Sequence, residues 1–225
     1  MPVVPVPPVA MTDRPLADER RRVSDLGVTL LERGLANGTM GNLSARAGDR
    51  IAVSPSGTPY EDVTPETVPV VTLSGDRVAG DVAPSSETPM HRVVYRRRED
   101  VGGIVHTHSP YATTFATLGR EITASHYLIG FAGHEVPVTE YATPGSEELG
   151  GLAADALGDD HDAVLLGNHG VLTVGATLEA AFETAEMVEY VARIHHQALA
   201  VGEPEILPED AVDDLIEKFD SYGQH

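Results

Sequence analysis

The chain has no cysteine and no tryptophan, and its 225 residues include a single lysine, Lys218, beside 14 arginines. Each scarcity removes a class of chemistry. Without cysteine there is no disulfide framework, thiolate zinc site, iron–sulfur cluster or cysteine nucleophile. An enzyme working through a lysine Schiff base would have to use Lys218, close to the C-terminus. Positive charge is scarce as a whole: 15 Lys+Arg face 35 Asp+Glu, giving a formal net charge of −20 and a pI near 4.7. A surface of that sign repels phosphate backbones, which argues against general nucleic-acid binding. No run approaches the ~18 apolar residues that a membrane span needs.

The carboxylates are spread along the chain, with a local density of eight in Glu203–Asp220. Lysine depletion beside carboxylate excess suits a protein kept soluble in concentrated salt, where repulsion is screened within a few ångström. A halophilic source is therefore expected, the alternative being a merely acidic cytosolic protein. The opening MPVVPVPPVAM is apolar but has four prolines in its first eight residues and no basic start. It reads as a flexible, polyproline-like arm over 1–12 rather than an export signal, so the expected compartment is the cytoplasm.

The remainder, 13–225, alternates between helical and strand periodicity with short connections, as one α/β domain ending in an acidic helix and tail. A helix is expected from Asp13 to about Ala36. Strands are expected at Asn42–Ala47 and Arg50–Val53 around Gly48-Asp49, then at Val68–Leu73 and Arg77–Ala79 around Ser74-Gly75-Asp76. Ser86 resembles an N-cap for a helix over Thr88–Arg98. Gly103–His108 reads as a buried strand, and Ser109–Leu118 as a helix opened by Ser109 and Pro110. Further strands fit Glu135–Tyr141, Ala163–Leu166 and Gly170–Val174, with helices over Leu178–Ala200 and Pro208–Asp220. The expected fold is a mostly antiparallel central sheet flanked by helices.

Within that frame, Ile104-Val105-His106-Thr107-His108 places two imidazoles on one side of a strand, because residues i and i+2 project together. Two such rings suit a divalent ion of the zinc type, though two satisfied core histidines would give the same pattern. His169, in Gly167-Asn168-His169-Gly170, sits at a tight turn with a glycine that admits close backbone approach, and is a third candidate. Three histidines with an open position would make a Lewis-acid site rather than a closed structural one. His91, His134, His161, His195, His196 and His225 read as structural or exposed.

Ser85-Ser86-Glu87 places two hydroxyls at a helix start, a natural phosphate cradle, with a carboxylate able to serve as general acid/base; a plain cap with a first-turn glutamate is the alternative. The glycine-rich polar segments Asn37–Ser44 and Ser54–Pro59 read as further parts of an anion site or as turns.

The ordered set NGTMGNLS, SPSGTPYE, PSSE, HTH, SHY, GNHG and KFDSYG resembles the class II aldolase/adducin family, most closely its L-fuculose-1-phosphate aldolase branch. The resemblance spans roughly Leu26 to Tyr222. It implies a zinc ion held by His106, His108 and His169, with Glu87 as catalytic acid/base and as a fourth ligand when no substrate is bound. It implies substrate phosphate binding by Gly41, Asn42, Ser56, Gly57, Ser85 and Ser86. It implies that Tyr127 protonates the aldehyde oxygen in a neighbouring subunit's site and that Tyr222 closes over the site. Such enzymes are fourfold-symmetric tetramers.

The implied reaction is reversible cleavage of a ketose 1-phosphate, L-fuculose 1-phosphate or a related deoxy-ketose 1-phosphate, to dihydroxyacetone phosphate and a short aldehyde such as L-lactaldehyde. One departure falls in the tail, which ends Gly223-Gln224-His225 where that branch has an arginine. The alternative enzyme is the L-ribulose-5-phosphate 4-epimerase branch, whose pattern has aspartate at the position of Glu87. A remoter alternative is a non-enzymatic adducin-like interaction module that has lost the metal ligands.

Overall fold

A computed structural model describes residues 15–220. The arm over 1–12 and the tail tyrosine Tyr222 lie outside the described residues.

The Gly48-Asp49 hairpin forms as expected between β1 (Asn42–Ala47) and β2 (Arg50–Val53). β3 (Val70–Thr72) and β4 (Arg77–Ala79) follow as a second antiparallel pair. With β5 (Gly103–Thr107), β6 (Ala163–Leu166) and β7 (Gly170–Gly175) they complete a seven-stranded sheet in the order β4-β3-β2-β1-β5-β7-β6, antiparallel at every pairing.

Alternation along the strands divides the core between two helical layers. Ile51, Val53, Ile104, Leu172 and Val174 point to one face, where α2 (Thr88–Arg97) and α4 (Glu147–Leu157) supply Met90, Val94, Leu149 and Leu157. Leu43, Ala45, Ala52 and Val105 point to the other, covered by α1 (Ala17–Glu32) and the long α5 (Leu178–Val201). On that same side α3 (Pro110–Leu118) packs with the outer part of α5 over Leu165 and Val171, and α6 (Glu209–Asp220) adds Val212. Among the described residues no helix is long and apolar enough to cross a membrane.

Three local expectations are corrected. Glu135–Tyr141 is not a strand of the sheet. It is an extended segment held by isolated bridges, Ile122 with Val136 and Val138 with Leu165, and Pro137 has no N–H to continue a ladder. The residue capping α2 is Glu87, not Ser86; the Ser85 hydroxyl accepts from the Glu87 N–H at 3.2 Å and the Thr88 hydroxyl donates to the Ser85 carbonyl at 2.6 Å. α4 has no counterpart in the periodicity reading. It opens on Ser146, whose hydroxyl accepts from the Leu149 N–H at 3.1 Å.

Candidate active site

The sheet brings three separated segments to one point. β1 and β5 pair with Asn42 opposite His106, so residue 42 and the first histidine share a face. The chain reaches β1 through Gly41 at φ +77°, where a side chain would press to 2.6 Å from the His106 carbonyl oxygen. The turn from β6 to β7 carries His169 after Asn168, itself left-handed at φ +55°. At Gly170 a Cβ would stand 2.9 Å from the His108 ring and 3.2 Å from the His106 ring. Glycine there lets the turn close onto the strand pair.

The result is a four-residue cluster. His106 Nε2 lies 3.0 Å from His108 Nε2 and 3.1 Å from Glu87 Oε2, and His169 Nε2 lies 3.3 Å from Glu87 Oε1. One ligand atom from each of Glu87, His106, His108 and His169 falls within 4.8 Å of all the others. The His106 Nδ1–H donates to the Val171 carbonyl at 2.9 Å, an assignment that follows because a carbonyl can only accept. That bond fixes the ring's orientation and leaves Nε2 as the nitrogen with a free lone pair.

Electrostatics keep the donors ready. Burial, reinforced by the neighbouring His106, holds His108 below the ordinary histidine range and pushes His169 down to about 4. Burial alone would favour a neutral Glu87, but the close approach of His106, then of His169 and the Asn42 amide, outweighs it, and the carboxyl is held below its usual range. The Asn42 Nδ2 donates to Glu87 Oε2 at 2.8 Å, while no hydrogen bond reaches Glu87 Oε1, which is buried.

These residues fit a divalent ion. Ligands about 2.0–2.1 Å from a tetrahedral centre stand about 3.3 Å from one another; three pairs here are 3.0–3.3 Å apart and the whole set lies within 4.8 Å. A buried carboxylate facing three ring nitrogens, with His108 and His169 held below the ordinary histidine range by burial, is a donor set that suits a cation.

The segments singled out for phosphate lie beside the cluster. The Ser56 N–H donates to the Ala83 carbonyl at 2.8 Å and the Ser85 N–H to the Ser54 carbonyl at 3.0 Å, so Ser56-Gly57 and Ser85-Ser86 run side by side. The Ser54 hydroxyl accepts from the Leu43 N–H at 2.8 Å, tying both to the Gly41-Asn42 turn. Tyr127 is not brought to the cluster within its own chain. Its ring packs on His126 and, at 6.3 Å, on Phe219, and 51% of the residue is exposed. Among the histidines set aside, His134 pairs with Asp213 at 2.9 Å and the buried His195 bonds the Ser125 hydroxyl at 2.7 Å. His91 is fully buried beneath the cluster.

Fold and donor set together define a metal-dependent lyase scaffold. The sequence matches the model of the Class II Aldolase and Adducin N-terminal domain over residues 21–196, and the chain belongs to the class II aldolase/adducin family. It is a class II aldolase. A 5-deoxy-D-ribulose 1-phosphate aldolase of Bacillus thuringiensis is 43% identical over 93% of this chain and 99% of its own length. A 5-methylthioribulose-1-phosphate/5-deoxyribulose-1-phosphate aldolase of Rhodospirillum rubrum is 40% identical, covering 93% and 91%. A solved L-fuculose 1-phosphate aldolase superposes with a TM-score of 0.87 at 40% identity, covering 90% of this chain and 96% of that one.

Proposed function

We propose that this chain is a zinc-dependent aldolase that reversibly cleaves a deoxy-ketose 1-phosphate between C3 and C4, giving dihydroxyacetone phosphate and a short aldehyde. The observation that carries the reading is the convergence of Glu87, His106, His108 and His169 on one point. The all-nitrogen-and-oxygen donor set suits zinc, which His106, His108 and His169 would hold together with Glu87. A zinc ion held there supplies a Lewis acid that draws off the charge developing on the reacting carbonyl.

The chain's own residues do the rest. Glu87, oriented by Asn42, takes and returns the proton on the dihydroxyacetone phosphate carbon. Gly41, Asn42, Ser56, Gly57, Ser85 and Ser86 form the phosphate cradle, which binds and orients the substrate without any lysine. Tyr127, exposed in its own chain, reaches the site of a neighbouring copy in a fourfold tetramer and protonates the aldehyde oxygen. The substrates named for the relatives, deoxyribulose phosphates and L-fuculose 1-phosphate, end in a methyl or methylthio group away from the phosphate. That shared chemistry supports a deoxy sugar here.

A product assay tests the reading. Dihydroxyacetone phosphate is incubated with acetaldehyde, L-lactaldehyde or glycolaldehyde, and the expected result is condensation, with acetaldehyde or L-lactaldehyde preferred over glycolaldehyde. No condensation with any of the three overturns the aldolase assignment, and interconversion of pentulose 5-phosphate epimers instead would install the epimerase. Sedimentation across a salt series tests the assembly and the cytoplasm it works in. A tetramer is expected in high salt, with dissociation and loss of activity in dilute buffer. A fully active monomer removes Tyr127 from the mechanism, and full activity without salt removes the halophilic reading.

A further inference from the structure

Behind the cluster, β1 and the face of α2 that carries Glu87 are joined by a ladder of polar side chains. Asn42, Ser44 and Arg46 alternate along β1 with Leu43 and Ala45, which are buried against the opposite layer. From α2 they meet residues spaced by four. Asn42 donates to Glu87 at 2.8 Å; the Ser44 hydroxyl lies 2.7 Å from His91 Nδ1 and 2.9 Å from the Tyr95 hydroxyl; Arg46 donates to the Tyr95 carbonyl at 3.0 Å. The Tyr95 hydroxyl also donates back to the Ser44 carbonyl at 2.9 Å, and the Arg46 guanidinium stands 5.8 Å from the Tyr95 ring centre.

The spacing explains why several rungs form. Two residues of strand advance about 6.6 Å and four residues of helix about 6.0 Å, so side chains on the two elements stay in step. Ser44, His91 and Tyr95 are all fully buried. The other side of α2 packs on α4 through Met90 and Val93 against Gly150, contacts that are non-directional, and through arginines at its exposed rim, Arg96 with Glu147 and Arg97 with Asp155, whose long side chains can follow a small shift. Directional bonds in a buried setting do not tolerate one.

We propose that Ser44, with His91 and Tyr95, is a positioning residue for Glu87: its buried hydroxyl locks the register of the helix on the strand and so fixes the carboxylate at the three histidines. The inference rests on the reading of Glu87 as part of a metal-binding, proton-transferring centre. It concerns groups that touch neither substrate nor ion, joined to that centre through β1 and α2.

A double-mutant cycle on metal affinity tests it without recourse to turnover. Co²⁺ is titrated into the chelator-treated full chain, its Ser44→Ala and Glu87→Gln variants and the double variant, with a melting curve for each. Ser44→Ala is expected to weaken Co²⁺ binding about tenfold where Glu87 is present, the scale of losing an outer-shell partner. In the Glu87→Gln background the same change is expected to move it less than about twofold, because the neutral amide is a far weaker ligand than the carboxylate and its placement then matters little to the ion. The Co²⁺ absorption spectrum of Ser44→Ala should move toward that of Glu87→Gln.

Tyr95→Phe, which removes one oxygen, runs through the same cycle and decides the matter if Ser44→Ala does not fold. Equal losses in both backgrounds, or no loss in either, overturn the positioning role while leaving the metal centre intact. A wild-type chain that takes up no Co²⁺ overturns the metal reading, and the inference with it.

Discussion

His108→Ala and His169→Ala should each abolish turnover and lower bound metal in the same step. Both rings present Nε2 to the shared point, and both lie at its accessible side, whereas His106 is wholly buried and bonded to the β7 backbone. Truncating His106 would therefore open a hole in the sheet and confuse a folding defect with a ligand defect. Truncating either of the other two removes one donor from a partly exposed position. The loss of metal affinity should exceed the roughly 10–100-fold that follows from removing an outer-shell partner, because an inner ligand is gone.

Activity should disappear with it, and adding excess zinc should restore little, since only two imidazoles and a carboxylate remain to hold the ion. The measurement is metal content by mass spectrometry beside the rate of dihydroxyacetone phosphate release. Normal turnover in either variant would remove the zinc assignment altogether.

The strands next to the site were legible from local pattern alone. Asn42–Ala47 needed only apolar residues at every second position, and Arg50–Val53 only a short apolar run after the Gly48-Asp49 turn, all of them local properties. α4 was not, because its helix holds Gly150-Gly151, which local propensity reads as a break. Gly150 is there for a tertiary reason: a Cβ would press on Val93 at 2.8 Å and Met90 at 3.0 Å across the contact with α2. Pro137 misled in the opposite direction, sitting in an alternating run whose backbone cannot complete a ladder.

At the site, the His106/His108 pair and the glycine after His169 carried their own spacing, and the family resemblance joined them to Glu87. The direction of Asn42 did not show. Its amide turns to a carboxylate 45 positions away, a contact that depends on how α2 lies on β1. His91 read as an ordinary helix histidine for the same reason, although its spacing from Glu87, matched by that of Ser44 from Asn42, was present in the chain all along.

Glu87→Gln is the second large expected effect, and it separates proton transfer from metal binding. Glutamine keeps the length and nearly the shape of the side chain, can still meet Asn42, and leaves all three histidines in place. The fold and one metal ion per subunit at saturating zinc should therefore persist. What is lost is a group that exchanges a proton. Glu87 is ionised in the resting site, held below its usual range because the partners around it outweigh its burial, so it can accept a proton at neutral pH; an amide cannot.

The expected fall in turnover is roughly 10²–10⁴-fold, the contribution of a positioned general acid/base, with a much smaller change in substrate affinity because the residues proposed to hold the phosphate are untouched. Exchange of the dihydroxyacetone phosphate methylene proton with deuterated water, followed by NMR in the absence of aldehyde, isolates the step. It should slow in parallel with turnover. A variant that exchanges that proton within a few-fold of the wild-type rate would show that another group moves it, and Glu87 would then be a metal ligand and nothing more.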